Sequence, residues 1–208
     1  MTTTETIPAF QLATIYRVML KRIAKGYSAD QLNFLIGAPS DHIQDIESLQ
    51  EPFYSINELE RISMALEETN PQSLFSTINN EDELQIVVNK EFNQFKIVHT
   101  YSRVNWQGQE EALFRLQEDE FQELEDLEKS NETLGIVSDT IDVLIRSGYF
   151  YEAKLPYEIF QTINSLRPDP LNPVYIQYAL QRFCGDEGDD VKLRITGSSE
   201  EPYRYEEC

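Results

Sequence analysis

Histidines and cysteines that could support catalysis or metal binding number two each and are widely spaced in this sequence. The many carboxylates are expected on solvated faces, with no hydrophobic pocket evident. The two histidines, His42 and His99, have no cysteine or second histidine at metal-ligand spacing. Residues 185–190 are predicted to form a polar loop, but their sequence lacks the alternating ligands and final Glu of a calcium-binding EF-hand. A glycine-rich phosphate loop is also absent from the sequence. We therefore expect a non-enzymatic protein, with no catalytic residue, metal ion or cofactor.

The net charge of −20 constrains the choice of partner. Lys and Arg number 17 against 37 Asp and Glu, and every segment is acidic: the net charge is −5 for residues 1–70, −9 for 71–135 and −6 for 136–208. Affinity for DNA depends largely on neutralising phosphates. A DNA-binding role would therefore need a local basic patch, a dimer or a specific site.

The hydrophobic fraction, 40%, is sufficient to build folded cores. No apolar run approaches the roughly 20 residues of a membrane-spanning helix, so no membrane partner is expected. Residues 1–8 carry no Lys or Arg, which argues against a secretory signal. The two cysteines, Cys184 and Cys208, are too few for a disulfide framework. A reducing cytoplasm is the expected location.

Four or five short helices are predicted in residues 1–70. Apolar residues spaced by three and four predict a first helix that ends at Gly26. Capping-box patterns at Ser28–Gln31 and Ser55–Glu58 mark two further helix starts, and Gly37 is placed in a tight turn. The expected buried stripe of the first helix consists of Leu12, Ile15, Tyr16, Met19, Leu20 and Ile23.

This segment resembles the Xre family of helix-turn-helix domains, the Cro and phage-repressor type, over about 60 residues. The matching text is Gly26-Tyr27-Ser28, Gln31-Leu32, Ile36-Gly37, His42-Ile43, Asp45-Ile46-Glu47 and the stretch from Leu59 to Leu66. Two positions depart from the family pattern: Asn33 replaces a frequent Ala, and Ser48-Leu49 replaces a frequent Arg-Gly.

The resemblance implies a recognition helix over residues 39–47, opened by Pro39 or Ser40. Its candidate DNA contacts are Ser40, His42 and Gln44, since Ser and Gln side chains can read base edges. This helix contains no Lys or Arg, and Asp41 would repel phosphate. A helix-turn-helix scaffold that does not bind DNA is the alternative.

Residues 71–131 are predicted to form a connector. Residues 95–104 are rich in β-branched and aromatic types, residues 112–116 form a second apolar run, and residues 105–109 suggest a turn between them. We expect a β-hairpin here, with Trp106 in the core. Glu118 to Lys129 is expected to form an acidic helix that is either a solvated connector or a surface for dimerisation or partner docking.

Residues 132–208 are predicted to form three helices and a β-hairpin. The first helix ends at Gly148, Pro156 opens the second, and Asn172-Pro173 caps the third. Residues 191–196 alternate apolar and polar, and residues 203–205 begin a return strand.

This order of elements resembles a winged helix-turn-helix over about 70 residues. The resemblance implies DNA contacts from the third helix and from the hairpin, because Gln pairs with adenine and Arg with guanine or phosphate. The candidates are Gln177, Gln181, Arg182, Lys192, Arg194 and Arg204.

Together these patterns predict a mainly α protein with small β elements. Its expected domains are an Xre-like helix-turn-helix domain (1–70), a connector with a β-hairpin and an acidic helix (71–131), and a winged-helix-like domain (132–208). The first functional hypothesis is a transcriptional regulator that binds double-stranded DNA as a homodimer. The alternative is an acidic protein-interaction module, such as an antirepressor, an antitoxin-like or immunity-like protein or a DNA mimic, that binds a basic partner.

Overall fold

The structure, a computed structural model, describes residues 2–51, 53–76, 82–120, 131–184, 191–198 and 201–208. In these ranges the helices are α1 (Ala9–Lys25), α2 (Ala29–Ile36), α3 (His42–Glu47), α4 (Ile56–Ala65), α5 (Asn131–Arg146), α6 (Pro156–Ser165) and α7 (Pro173–Gln181). The strands are β1 (Thr2–Pro8), β2 (Glu83–Asn93), β3 (Lys96–Val104), β4 (Glu110–Asp119), β5 (Leu193–Thr196) and β6 (Arg204–Glu207). The chain divides into unit 1, Met1–Asp30 with Asp41–Phe121, and unit 2, Gln31–Ser40 with Gln122–Cys208.

Unit 1 contains a four-stranded antiparallel sheet in the order β1-β2-β3-β4. Thr2 pairs with Asn89 at one end of the β1–β2 ladder. The β2–β3 turn places Gln94 and Phe95 at φ 48° and 68°, values typical of a tight hairpin turn. In the β3–β4 turn, the Asn105 side chain accepts hydrogen bonds from the backbone N–H groups of Gln107 and Gln109. The Asn105 bonds therefore stabilise the β3–β4 turn.

Helix α1 supplies the helical side of the unit 1 core. Gly26 ends α1 at φ 74°, as predicted. The predicted stripe is partly wrong, because Leu20 is exposed whereas Arg22 is fully buried. The buried side chains of α1 are Leu12, Ile15, Val18, Met19 and Arg22.

Two other predictions near the N-terminus have different outcomes. The capping box of Ser55 and Glu58 is confirmed at the start of α4, where each residue's side chain accepts from the other's backbone N–H. The predicted start of the third helix at Pro39 or Ser40 is wrong. Helix α3 begins at His42, because Asp41 takes a left-handed conformation at φ 66°.

The prediction of a mainly α protein is wrong, since the chain is mixed α/β with a four-stranded sheet. The hairpin of β3 and β4 was predicted, but β1 and β2 were not. Glu118, expected in an acidic helix, is a buried residue of β4, and residues 121–130 lie outside the described residues. Trp106, expected in the core, is 90% exposed in the β3–β4 turn. The layout is therefore not dominated by helix-turn-helix elements.

Unit 2 contains α5, α6, α7 and the β5–β6 hairpin. The helix signals predicted here are confirmed: Gly148 takes φ 78° after α5, Pro156 is the first residue of α6, and the Asn172 side chain accepts a hydrogen bond from the Val174 N–H. The predicted hairpin is confirmed as β5 and β6.

The segment Gln31–Ser40 belongs to unit 2, which a self-contained domain of residues 132–208 does not predict. The Tyr203 N–H donates to the Gly37 carbonyl at 2.8 Å, and the Tyr203 hydroxyl donates to the Phe34 carbonyl at 3.1 Å. Lys154 and Tyr205 exchange two further backbone bonds. Unit 2 is therefore assembled from segments distant in sequence.

Candidate functional site

A buried ionic cluster lies in unit 1 and centres on Arg22. The Arg22 guanidinium donates to both carboxylate oxygens of Glu47 at 2.8 Å, to Glu118 at 2.6 Å and to the Tyr27 carbonyl at 2.7 Å. Glu118 also accepts a hydrogen bond from Nε2 of His99 at 2.6 Å. Helices α1 and α3 and strands β3 and β4 each contribute a charged or titratable side chain. Residues distant in sequence thus meet in one hydrogen-bonded network.

Charge pairing outweighs burial in this cluster. Burial alone would raise the pKa of Glu118, but the His99 hydrogen bond and the Arg22 charge lower it to about 2. Burial would likewise lower the pKa of Arg22, but Glu47 and Glu118 raise it above its ordinary value. Arg22 and Glu118 therefore stay charged throughout the neutral pH range.

A polar cavity of about 120 Å³ lies beside the cluster. Its lining includes Glu47, His99 and Glu118, together with Gln44 and Lys90. The carboxylates of Glu47 and Glu118 are both held by Arg22. Because these charged groups are already paired within the protein, a structural role fits the cluster better than a catalytic one.

The predicted DNA contacts of the N-terminal segment differ in how exposed they are and in what they contact. Ser40 and Gln44 are exposed, and Gln44 also lines the polar cavity. His42 is half-buried and lies between two carboxylates, with Nδ1 2.6 Å from Glu51 and Nε2 2.5 Å from Glu58. Both ring nitrogens can donate only when the imidazole is protonated. His42 is thus engaged by acidic groups of its own unit.

We call His42 with its partners Glu51 and Glu58 the His42 clamp. We expect this clamp to make the free energy of unfolding depend on pH. The hydrogen bond to Glu58 raises the pKa of His42, opposed by burial and assisted by the charge of Glu51. Because the folded-state pKa is raised, its stabilising contribution is complete below the unfolded value of about 6.5. The contribution is lost as pH rises through the folded-state pKa. Urea unfolding from about pH 6 to about pH 9 should show a larger loss for the wild type than for His42→Gln.

The His99 side chain is present in both of those proteins and serves as an internal control. Equal pH slopes for the wild type and His42→Gln would contradict the clamp. A titration of the His42 ring by NMR gives an independent readout of the same pKa.

The predicted DNA contacts of unit 2 are mostly paired or partly buried. The Lys192 ammonium lies 2.6 Å from the Asp142 carboxylate, and the Arg194 guanidinium lies 3.0 Å from that of Glu206. Arg204 faces Thr196 across the β5–β6 ladder and is half-buried. The hairpin therefore carries both Arg194 and Arg204, and Arg194 has a carboxylate beside it.

The candidates on the third helix of unit 2 are more accessible. Gln177 is half-buried, whereas Gln181 and Arg182 are exposed. The Arg182 guanidinium donates to the Ser138 hydroxyl at 3.5 Å, a long hydrogen bond. These side chains stay candidate DNA contacts.

An apolar pocket of about 370 Å³ in unit 1 was not predicted from the sequence. Its lining residues come from α1, the loop before α4, α4 itself and the chain after Leu74. They are Phe10, Gln11, Thr14, Ile15, Phe53, Tyr54, Ile56, Leu59, Phe75 and Ser76. One sequence feature could have indicated the pocket: the aromatic residues Phe10, Phe53 and Phe75 belong to none of the predicted helical stripes.

The charge of the chain is divided equally between the units. Each unit carries a net −10, from 9 basic and 19 acidic residues in unit 1 and from 8 and 18 in unit 2. Neither unit therefore provides an overall basic surface.

Comparison of the chain with protein-family models, curated proteins and solved structures finds no significant match. The resemblance to the Xre family therefore stays a prediction from the motif residues. Among the described residues, no helix has the length and apolar character required to cross a membrane.

Proposed function

We propose that this protein is a non-enzymatic interaction module that binds a partner protein through a basic surface of that partner. The observation that carries the proposal is the pairing of the predicted DNA-contacting cations with carboxylates. His42 lies between two glutamates, and Lys192 and Arg194 each have an acidic neighbour within 3.0 Å. These pairs reduce the positive charge available to phosphates.

Electrostatics supports a basic partner over DNA. Both units have a net charge of −10, so their fields repel a polyanion and attract a cation. Complementary charge accelerates association and selects among partners, while affinity comes mainly from a few anchor residues. The proposed partner therefore carries Lys and Arg around its contact surface.

Exposed aromatic side chains at the sheet hairpins can provide such anchors. Phe92 lies at the end of β2 and is 71% exposed, and Phe95 lies in the β2–β3 turn and is 83% exposed. Large aromatic residues dominate the binding energy of many interfaces because they bury much apolar area. We assign Phe92 and Phe95 as the anchors of the proposed interface.

The proposal places the protein in the cytoplasm. Cys184 and Cys208 form no disulfide in the structure, which agrees with a reducing compartment.

The first test removes the carboxylates that pair with Lys192 and Arg194. Asp142→Asn with Glu206→Gln removes the partners of Lys192 and Arg194 and should increase affinity for a mixed-sequence DNA duplex. That binding should weaken steeply between about 50 mM and about 150 mM salt. Fluorescence anisotropy measures the affinity. The matched control, Asp139→Asn with Glu201→Gln, makes the same charge change at exposed carboxylates. Equal effects of the two double variants would show that the pairs do not mask the cations.

The second test examines the partner directly. A protein captured by the wild type should be basic and should bind the purified chain, and Phe92→Ser with Phe95→Ser should abolish that binding. Ile136→Ser with Val143→Ser removes two exposed apolar side chains of unit 2 and should have no effect. Selection of genomic DNA fragments by the wild type should yield no enriched site at either salt concentration. A defined site that survives about 150 mM salt would overturn the proposal.

A DNA-binding regulator is the second candidate. The observation that favours it is the exposure of Gln44, Gln181 and Arg182, which can read base edges. A homodimer would place two copies of these residues on a symmetric site. Under this candidate, Lys192→Glu with Arg194→Glu abolishes binding to the selected fragment. Unchanged affinity would exclude the β5–β6 hairpin as the DNA contact.

A further inference from the structure

The apolar pocket of unit 1 has the construction of a small-molecule site. Phe10 and Ile15 of α1 form one wall, and Ile56 and Leu59 of α4 form another. Helix α4 is fixed at its start by the capping box of Ser55 and Glu58. The walls are therefore supported by regular elements with defined ends, as preformed ligand sites usually are.

The volume of the pocket sets the size of its ligand. Natural ligand pockets commonly have volumes from about 300 to 1,000 Å³, and a cavity of about 150 Å³ accommodates benzene. At about 370 Å³, this pocket can contain a body of two or three rings. Phe53 is half-exposed, so part of the lining contacts water when no ligand is present.

The charges around the pocket select against anions. The nearby cation, Arg17, donates to the backbone carbonyls of Ser73 and Phe75 at 3.2 and 2.7 Å. Glu58, at the start of α4, is paired with His42 and therefore adds little net charge of its own. Unit 1 as a whole is strongly acidic. An anionic ligand would therefore enter an unfavourable field.

Four of the ten lining residues carry a polar side-chain group: Gln11, Thr14, Tyr54 and Ser76. The Thr14 hydroxyl donates to the Phe10 carbonyl at 3.0 Å. Tyr54 also lines the pocket, but its buried hydroxyl lies near the charges of Glu47 and Arg22. Because Gln11 and Ser76 line the pocket as well, a ligand with one polar atom beside its rings would complement this lining.

We propose that the apolar pocket of unit 1 binds an uncharged aromatic compound of two or three rings that carries a single polar group. This inference does not depend on the proposed interaction with a basic protein, because it concerns a different set of residues. The proposal assigns a small-molecule binding site to a chain that the sequence analysis expects to have no cofactor.

Two dyes with the same aromatic skeleton test the size and charge of the ligand. N-phenyl-1-naphthylamine is neutral, and 8-anilinonaphthalene-1-sulfonate adds a sulfonate. The neutral dye should bind the full chain with one saturable site, and its fluorescence should increase. The sulfonate dye should bind about tenfold more weakly at low salt, with a smaller difference at about 1 M salt. Equal affinities at low salt would overturn the assignment of an uncharged ligand.

Filling the pocket tests the location of the site. Thr14→Phe should lower the affinity for the neutral dye at least tenfold, because the new ring occupies part of the cavity. The control is Thr140→Phe in unit 2, since the Thr140 hydroxyl donates four residues back along its helix, to the Ile136 carbonyl, as Thr14 does to Phe10. A second filling variant, Gln11→Trp, covers the case in which Thr14→Phe does not fold. Non-saturable binding, or equal affinity in the folded filling and control variants, would overturn the proposal.

Discussion

Replacing Arg22 with Met should destabilise unit 1 by about 3 to 5 kcal/mol, the usual cost of removing one partner from a buried ionic group. Met has a similar length, so the apolar part of the side chain is retained. Glu47 and Glu118 would lose a guanidinium that donates to both of them and would stay buried with uncompensated charge. Urea unfolding followed by circular dichroism measures the loss.

The control for this substitution is Lys25→Met, one turn further along α1. The Lys25 ammonium forms an exposed pair with Glu67 at 2.6 Å, and such pairs contribute about 0 to 1 kcal/mol. Adding Glu47→Gln and Glu118→Gln to Arg22→Met should recover part of the lost stability, since the buried negative charge is then removed. Similar losses for Arg22→Met and Lys25→Met would contradict the role of the cluster.

Replacing Gly37 with Ala should destabilise unit 2 by about 2 to 4 kcal/mol, through strain and a steric clash acting together. Gly37 has φ 66°, and an added Cβ would lie 2.5 Å from the Tyr203 carbonyl oxygen and 3.2 Å from Cβ of Pro202. The backbone must therefore shift, which disturbs the bond from the Tyr203 N–H to the Gly37 carbonyl. Hydrogen exchange at the Tyr203 amide should accelerate together with the loss of global stability.

Gly108→Ala separates the two causes. Gly108 has φ 76°, but an added Cβ meets no atom within 4 Å. This variant therefore has the left-handed strain of about 1 to 2 kcal/mol without the clash. If Gly37→Ala costs no more than Gly108→Ala, the close approach of Tyr203 does not constrain residue 37.

The sequence predicted the elements that have local signals. Gly26 and Gly148 end helices in left-handed conformations, and Asn172 caps a helix through its own side chain, so each boundary is encoded within a few residues. The β3–β4 hairpin has its turn residues between its own strands. Strands β1 and β2 pair residues more than 70 positions apart, such as Pro8 with Glu83, and no local pattern specifies that pairing.

The candidate sites show the same contrast between features that local sequence encodes and features that depend on residues distant in sequence. Arg22 follows Met19 by three residues and Ile15 by seven, so the helical period places it on the buried face of α1. That signal was available, but its carboxylate partners lie 25 and 96 residues away and could not be inferred. The apolar pocket likewise needs Phe10 and Phe75 to meet, which depends on tertiary structure.

The bond between Tyr203 and Phe34 has a consequence for synthesis on the ribosome. The two residues are 169 positions apart, and translation proceeds at about 5 to 20 residues per second. Residues 31–40 are therefore made roughly 10 to 30 s before their partner, Tyr203. These residues include apolar side chains that are buried in the finished protein. During this interval the nascent chain exposes them to chaperones and to other nascent chains, so slower translation should increase aggregation.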